Sequence, residues 1–267
     1  MAHNRRRGGF AWVIVVAIAI FALSRCGDDD EPERAARGDR APPTAAESYA
    51  RAAANDSWPR LEEGARPEVA PDQLATVNYY VVLDGSGSMQ AIECSGGVSK
   101  IEAAVAALRR FVGAVPADAN LGLAAFDRAD VTERVALATG NRDAFRAALD
   151  AVAAEGGTPL RSAISLGFER LTAQARRQLG YGEYHLVVVT DGVPDPSSED
   201  PTRVIETIWA DSPVVLHTIG FCIGEDHVLN RPGRSYYVAA ESPDELQQGL
   251  GAVLAEAPSF DVATFPN

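Results

Sequence analysis

Several common chemistries find no footing in this sequence. Lys and Arg together number 24 against 37 Asp and Glu, for a formal net charge of -13. No basic stripe is available to release counterions from a phosphate backbone, so a nucleic-acid partner is excluded. Cysteine occurs only at Cys26, Cys94 and Cys222, with no CxxC and no Cys/His cluster, so a structural zinc site is not indicated. There is no GxxxxGK phosphate loop, no persuasive Ser/His/Asp order and no internal repeat. What is present is enough apolar material, 46% of 267 residues, for one full core and additional segments.

The N-terminus differs in kind from the rest. Asn4-Arg5-Arg6-Arg7 precedes an uncharged apolar run from Gly9 to Ser24. A basic start followed by such a run is the pattern of a signal peptide or a short membrane anchor. The basic end stays cytoplasmic, which places the remainder outside and makes the membrane a partner. Leu23-Ser24-Arg25-Cys26 resembles a bacterial lipoprotein cleavage box and makes Cys26 a lipidation candidate. Arg25 departs from the small residue that pattern wants, which favours an uncleaved signal anchor. The segment 1–26 is therefore read as a signal anchor or lipoprotein-like signal. Residues 27–73 are read as a flexible stalk, from the charge run Asp28-Asp29-Asp30-Glu31 and the Pro/Ala-rich stretch around Pro42-Pro43. Within it, 45–54 has the composition of a short, marginal helix.

A globular domain is expected over 74–256, with a tail at 257–267. Strand-like runs fall at 77–83, 120–126, 134–138, 184–190, 214–221 and 235–238, with helical patterns between them at 100–115, 142–154, 159–179 and 200–209. Asn141 is placed to cap the second helix. Ser242-Pro243-Asp244-Glu245 reads as a capping box opening the last. This alternation predicts an α/β fold, a doubly wound and mostly parallel six-stranded sheet with helices on both faces. The link 127–133 is too short for a crossover helix, so the second and third strands are expected to pair antiparallel, with the reversed strand at an edge.

Oxygen-bearing loops recur at strand ends and helix starts. Asp84-Gly85-Ser86-Gly87-Ser88 follows the first strand directly, Gly156-Gly157-Thr158-Pro159-Leu160 opens the long helix, and Thr190-Asp191-Gly192 closes the most apolar strand. Taken singly, each is ordinary turn chemistry. Together, Asp84, Ser86, Ser88, Thr158 and Asp191 fall on loops that a doubly wound sheet brings to one rim, where such folds bind ligands. Hydroxyl and carboxylate oxygens suit a hard cation. The ordered trio resembles the metal-ion-dependent adhesion site (MIDAS) of the von Willebrand factor type A (VWA) domain, and the resemblance covers about 74–256. It implies strand order 3-2-1-4-5-6. Ser86 and Ser88 are implied as direct metal ligands, Thr158 as a direct or water-mediated one, and Asp84 and Asp191 as outer partners acting through waters and hydroxyls. The implied ion is Mg²⁺, with Mn²⁺ or Ca²⁺ as alternatives. The implied partner is a protein presenting an Asp or Glu.

Cys94 in the loop after the first motif and Cys222 at the end of the fifth strand both fall at the metal-bearing rim. An exported compartment permits a disulfide between them; two free buried thiols are the alternative. A bridge requires Cα atoms within about 7 Å. His185 and His217 lie inside strand patterns and read as packing residues, and Glu225-Asp226-His227 as a solvated loop at the metal rim. The resulting expectation is a membrane-tethered, extracytoplasmic binding module, in the periplasm or at the cell surface, with no catalytic residues. A regulatory subunit of an ATPase or metal-chelatase-type complex is the alternative. A metal-dependent hydrolase would need a positioned base, and none is convincing.

Overall fold

The computed structural model describes residues 58–128 and 130–255. The apolar run, Cys26, the helix expected at 45–54, most of the stalk and the C-terminal tail lie outside the described residues. Six strands form one sheet: β1 (Val77–Gly85), β2 (Asn120–Asp127), β3 (Asp130–Ala138), β4 (Glu183–Thr190), β5 (Val215–Phe221) and β6 (Tyr236–Ala240). Their order is β3-β2-β1-β4-β5-β6. All neighbours are parallel except β2 and β3. The fold class and the antiparallel edge strand are therefore as the sequence predicts. The β2–β3 link is shorter than the expected 127–133, because β3 begins at Asp130. The Thr132 and Glu133 positions extend the ladder opposite Ala125 and Ala124.

Among the described residues five α-helices cover the sheet: α1 (Lys100–Ala114), α2 (Arg142–Asp150), α3 (Leu160–Arg177), α4 (Thr202–Asp211) and α5 (Pro243–Ala255). Strand alternation divides the core in two. Tyr79, Val81 and Leu83 of β1 pack with α1, α2 and α5 through residues such as Leu108, Phe145 and Leu250. Tyr80 and Val82 point the other way, onto α3 and α4 through Leu160, Ile164, Leu171 and Ile205. The central strands are buried on both faces, which is why they read as continuous apolar runs. Each buried Leu in such a core contributes about 2–5 kcal/mol by truncation.

Two helix starts differ from the sequence reading. Asn141 makes no side-chain cap on α2. Its amide instead donates to the Leu121 and Ala136 carbonyls, tying β2 to the end of β3. At α5, Ser242 Oγ accepts from the Glu245 amide, but the Glu245 carboxylate takes the amide of Glu241 rather than that of Ser242. The reciprocal box is made at α1 instead, between Ser99 and Glu102.

The domain also reaches further toward the N-terminus than Leu74. Trp58 stacks on Phe168 and meets Tyr184 edge-on, with centroids 6.4 and 5.1 Å apart. The Glu68 amide donates to the Arg177 carbonyl, and Gln178 Nε2 donates to the Gln73 carbonyl. Residues 58–73 are thus laid against α3, because an indole and two amide bonds find partners there. The base of the sheet is closed by a row of stacked rings, Tyr79, His185, His217 and Tyr236, at 4.9, 5.4 and 5.3 Å. Both histidines are buried, as expected of packing residues.

Candidate metal centre

The opposite, carboxyl-terminal rim gathers the five residues of the three motifs. β1 delivers Asp84 fully buried, paired in register beside Phe126 of β2. Its Oδ1 accepts from the Ser86 amide at 2.7 Å, and its Oδ2 from the Thr190 hydroxyl at 2.5 Å. The first bond is an Asx-type turn that bends the chain out of the strand. Ser86 then begins a short 3₁₀ turn, Gly87–Gln90. That turn sets Ser86 Oγ and Ser88 Oγ 2.9 Å apart. Ser88 Oγ donates onward to Asp191 Oδ1 at 2.6 Å, crossing from the first motif to the third.

The second motif is fastened to the first by backbone bonds. The Gly87 amide donates to the Gly156 carbonyl at 3.0 Å, and the Glu155 amide to the Gly85 carbonyl at 2.7 Å. Thr158 is buried, its backbone bridging to Asp195 in both directions. Gly192 lies between Thr158 and Ser88: a Cβ there would sit 3.1 Å from Thr158 Oγ1 and 3.6 Å from Ser88 Oγ. The hydroxyls of the first and second motifs therefore border the same small space, which a larger residue at 192 would fill.

This donor set fits a small hard cation. Octahedral Mg²⁺ at 2.0–2.1 Å has adjacent ligands about 2.9 Å apart, the spacing of the two serine oxygens. Among the described residues no three His, Cys, Asp or Glu side chains gather to hold a metal. The oxygens gathered at the rim are neutral hydroxyls backed by two carboxylates. Burial lifts the Asp84 carboxyl to about 6, against the pull of its bonds from Ser86 and Thr190; the nearby Asp191 adds to the rise.

Four contributors were not singled out from the sequence. Thr190 donates to Asp84. Gly192 leaves the space described above. His227, read as part of a solvated loop, is buried. Its Nε2–H donates to the Gly192 carbonyl at 2.9 Å while Nδ1 accepts from the Leu229 amide. Burial holds its pKa below the ordinary histidine value, against the bond to Gly192. Lys100, at the first turn of α1, places Nζ 2.9 Å from Asp191 Oδ2 in a nearly buried ion pair. Lys100 is the only lysine in the sequence, a compositional signal that points to it without a structure.

Cys94 and Cys222 are joined as a disulfide with Cα atoms 6.2 Å apart, linking the loop after the first motif to the end of β5. Three exposed apolar side chains lie on the loops of this region. Ile92 is 62% exposed, Val98 45% and Val193 66%, each on a segment carrying or flanking a motif.

Residues 79–193 match the sequence profile of the von Willebrand factor type A domain. The uncharacterized protein YwmD of Bacillus subtilis is 28% identical over 206 residues, 69% of this chain and 88% of that protein. Among solved structures, the pilus adhesin SpaC of Lactobacillus rhamnosus GG superposes with a TM-score of 0.57 at 18% identity. It covers 68% of this chain, which spans only 30% of the adhesin's length. The manganese-loaded TRAP protein of Plasmodium vivax gives a TM-score of 0.50 at 16% identity, over 68% of this chain and 74% of that one. The match over residues 79–193 and the shared fold together support a von Willebrand factor type A domain in this chain.

Proposed function

We propose that this protein is a membrane-tethered, extracytoplasmic binding module whose rim holds a divalent cation and captures an Asp or Glu side chain of a partner protein. The observation that carries the reading is the 2.9 Å pair of serine hydroxyls, bonded to Asp191 and facing the space shared with Thr158. Ser86, Ser88 and Thr158 are the proposed holding residues, with Asp84 and Asp191 orienting their hydroxyls. When bound, a cation such as Mg²⁺ supplies a Lewis-acidic position that a partner carboxylate completes. Neutral hydroxyls leave most of that charge uncompensated. Ile92 and Val193 add apolar area beside the centre, the composition of a protein-binding surface. A pilus adhesin and a manganese-loaded protein that share this fold agree in kind.

The tether rests on the apolar run at Gly9–Ser24. That run lies outside the described residues, among which no helix is long and apolar enough to cross a membrane. The reading assigns no catalytic residue: Asp84, the strongest candidate for an unusual carboxyl, is fully buried behind the hydroxyls.

Calorimetric titration of Mg²⁺ and Mn²⁺ into the full-length chain tests the centre. Saturable binding that disappears in Asp84→Ala is expected. Equal uptake by both proteins would sink the reading. Crosslinking on intact cells, with and without EDTA, tests the partner, and an unchanged adduct pattern would count against a carboxylate captured through the metal.

A further inference from the structure

The buried pair Lys100–Asp191 has no place in the three motifs, yet it occupies one of the two Asp191 oxygens directly. The other oxygen accepts from Ser88, so each Asp191 oxygen already holds one partner within the protein. The choice of lysine is informative in a chain that uses arginine at every other basic position. A guanidinium fork would engage both carboxylate oxygens and displace Ser88; an ammonium is a point charge that takes one and leaves the other.

Charge arithmetic then decides what the lysine does. Asp84, Asp191 and Lys100 sum to -1, from two carboxylates and one ammonium. A divalent cation brings the cluster to +1, and one partner carboxylate brings it to zero. Without the ammonium the same cluster runs from -2 to zero on metal binding, and a partner carboxylate would take it to -1. Asp84, Asp191 and Lys100 are themselves buried, so these sums are weakly screened.

We infer that Lys100 sets the charge balance of the metal centre: it weakens cation binding and preserves the positive charge that recruits an anionic ligand. The inference rests on the metal reading above, and it goes beyond it by assigning the trade between the two affinities to one residue outside the motifs. Lys100 acts as a positioning and charge-setting residue, not as a ligand.

The test titrates Mn²⁺ into full-length wild type, Lys100→Met and Lys100→Arg, counting only uptake above that of Asp84→Ala. It then titrates acetate, as the carboxylate probe, into each metal-loaded protein. Lys100→Met is expected to bind Mn²⁺ at least about tenfold more tightly and acetate several-fold more weakly. Lys100→Arg is expected to perturb Mn²⁺ binding because its fork competes with Ser88. Binding by the Met variant alone would support the inference in its strongest form. Equal Mn²⁺ affinity in wild type and Lys100→Met would overturn it while leaving the metal reading intact. No uptake by any of the proteins would overturn both. A readout on wild type covers the case of a misfolded variant. Uniform ¹³C/¹⁵N labelling leaves the buried ammonium unmodified, and the side-chain NMR signal of the one lysine is expected to move on Mg²⁺ titration. An unmoved signal would overturn the inference.

Discussion

Thr190 donates its hydroxyl proton to Asp84 across the seam between β4 and β1, at 2.5 Å. This bond joins the first and third motifs beneath the serine hydroxyls, in a place water does not reach. Thr190→Val keeps the shape and removes the donor. It leaves a buried carboxylate oxygen short of a partner, so stability is expected to fall by about 1–3 kcal/mol in urea unfolding. The Asp84 carboxyl, already lifted to about 6, is expected to rise further. On the proposed metal reading Asp84 acts as a carboxylate, so cation binding is expected to weaken as the pH falls through about 6 in wild type. In the variant the same loss is expected at higher pH, read by Mn²⁺ titration across pH 5–8.

Gly156 is the hinge between the first and second motifs. Its φ is +99°, and a Cβ would overlap the Arg128 carbonyl oxygen. Its own carbonyl accepts from Gly87. Gly156→Ala is expected to cost at least about 1–3 kcal/mol and to lower Mn²⁺ affinity as the serine turn loses its brace. Unchanged affinity in a folded variant would show that the two loops hold their geometry independently.

His217 gives the base of the sheet a pH dependence separate from the rim. Burial, with His185 beside it, holds its pKa well below 6.5. The folded protein keeps the ring neutral while the unfolded chain takes up a proton near 6.5. The stability is therefore present above that pH and is lost as the pH falls below it, by up to about 1.4 kcal/mol per pH unit. His217→Phe keeps an aromatic ring between His185 and Tyr236. It is expected to flatten the slope of unfolding free energy between pH 5 and 6.5 relative to wild type.

The Cys94–Cys222 bridge spans 128 residues of sequence. Opening so large a loop to the unfolded ensemble is expected to remove about 2–4 kcal/mol. Cys94→Ser and Cys222→Ser should lose the same amount, and the double variant no more than either alone. A thermal melt with and without reductant checks this. A melting temperature indifferent to reductant would show that the bridge contributes nothing to stability.

The sheet was legible because its signals are short-range. Apolar runs such as 184–190 are buried on both faces, and strand-to-helix alternation leaves few topologies. The five motif residues were legible for a related reason: strand-end and helix-start loops of a doubly wound sheet fall on one rim. The same placement left a Cys94–Cys222 bridge and two free thiols both open, and the structure joins the two cysteines. Helix starts were less legible. Asn141 has the side chain of a cap, yet it bonds instead to carbonyls of β2 and β3, because those acceptors are brought near only by the hairpin. Trp58 gave no periodic signal, and its rings Phe168 and Tyr184 are more than a hundred residues away.

Local sequence alone thus determined the strands, the antiparallel pairing of β2 with β3 and the oxygens at the strand ends; the full strand order came from the family resemblance. Only the tertiary structure decided which charges face one another there. Lys100 and Asp191 are 91 residues apart, and Ser88 and Asp191 103 apart. No turn preference or periodicity couples such positions. Their pairing comes from β1 lying beside β4 in register, with α1 entering from the loop between, and that packing places an ammonium beside Asp191.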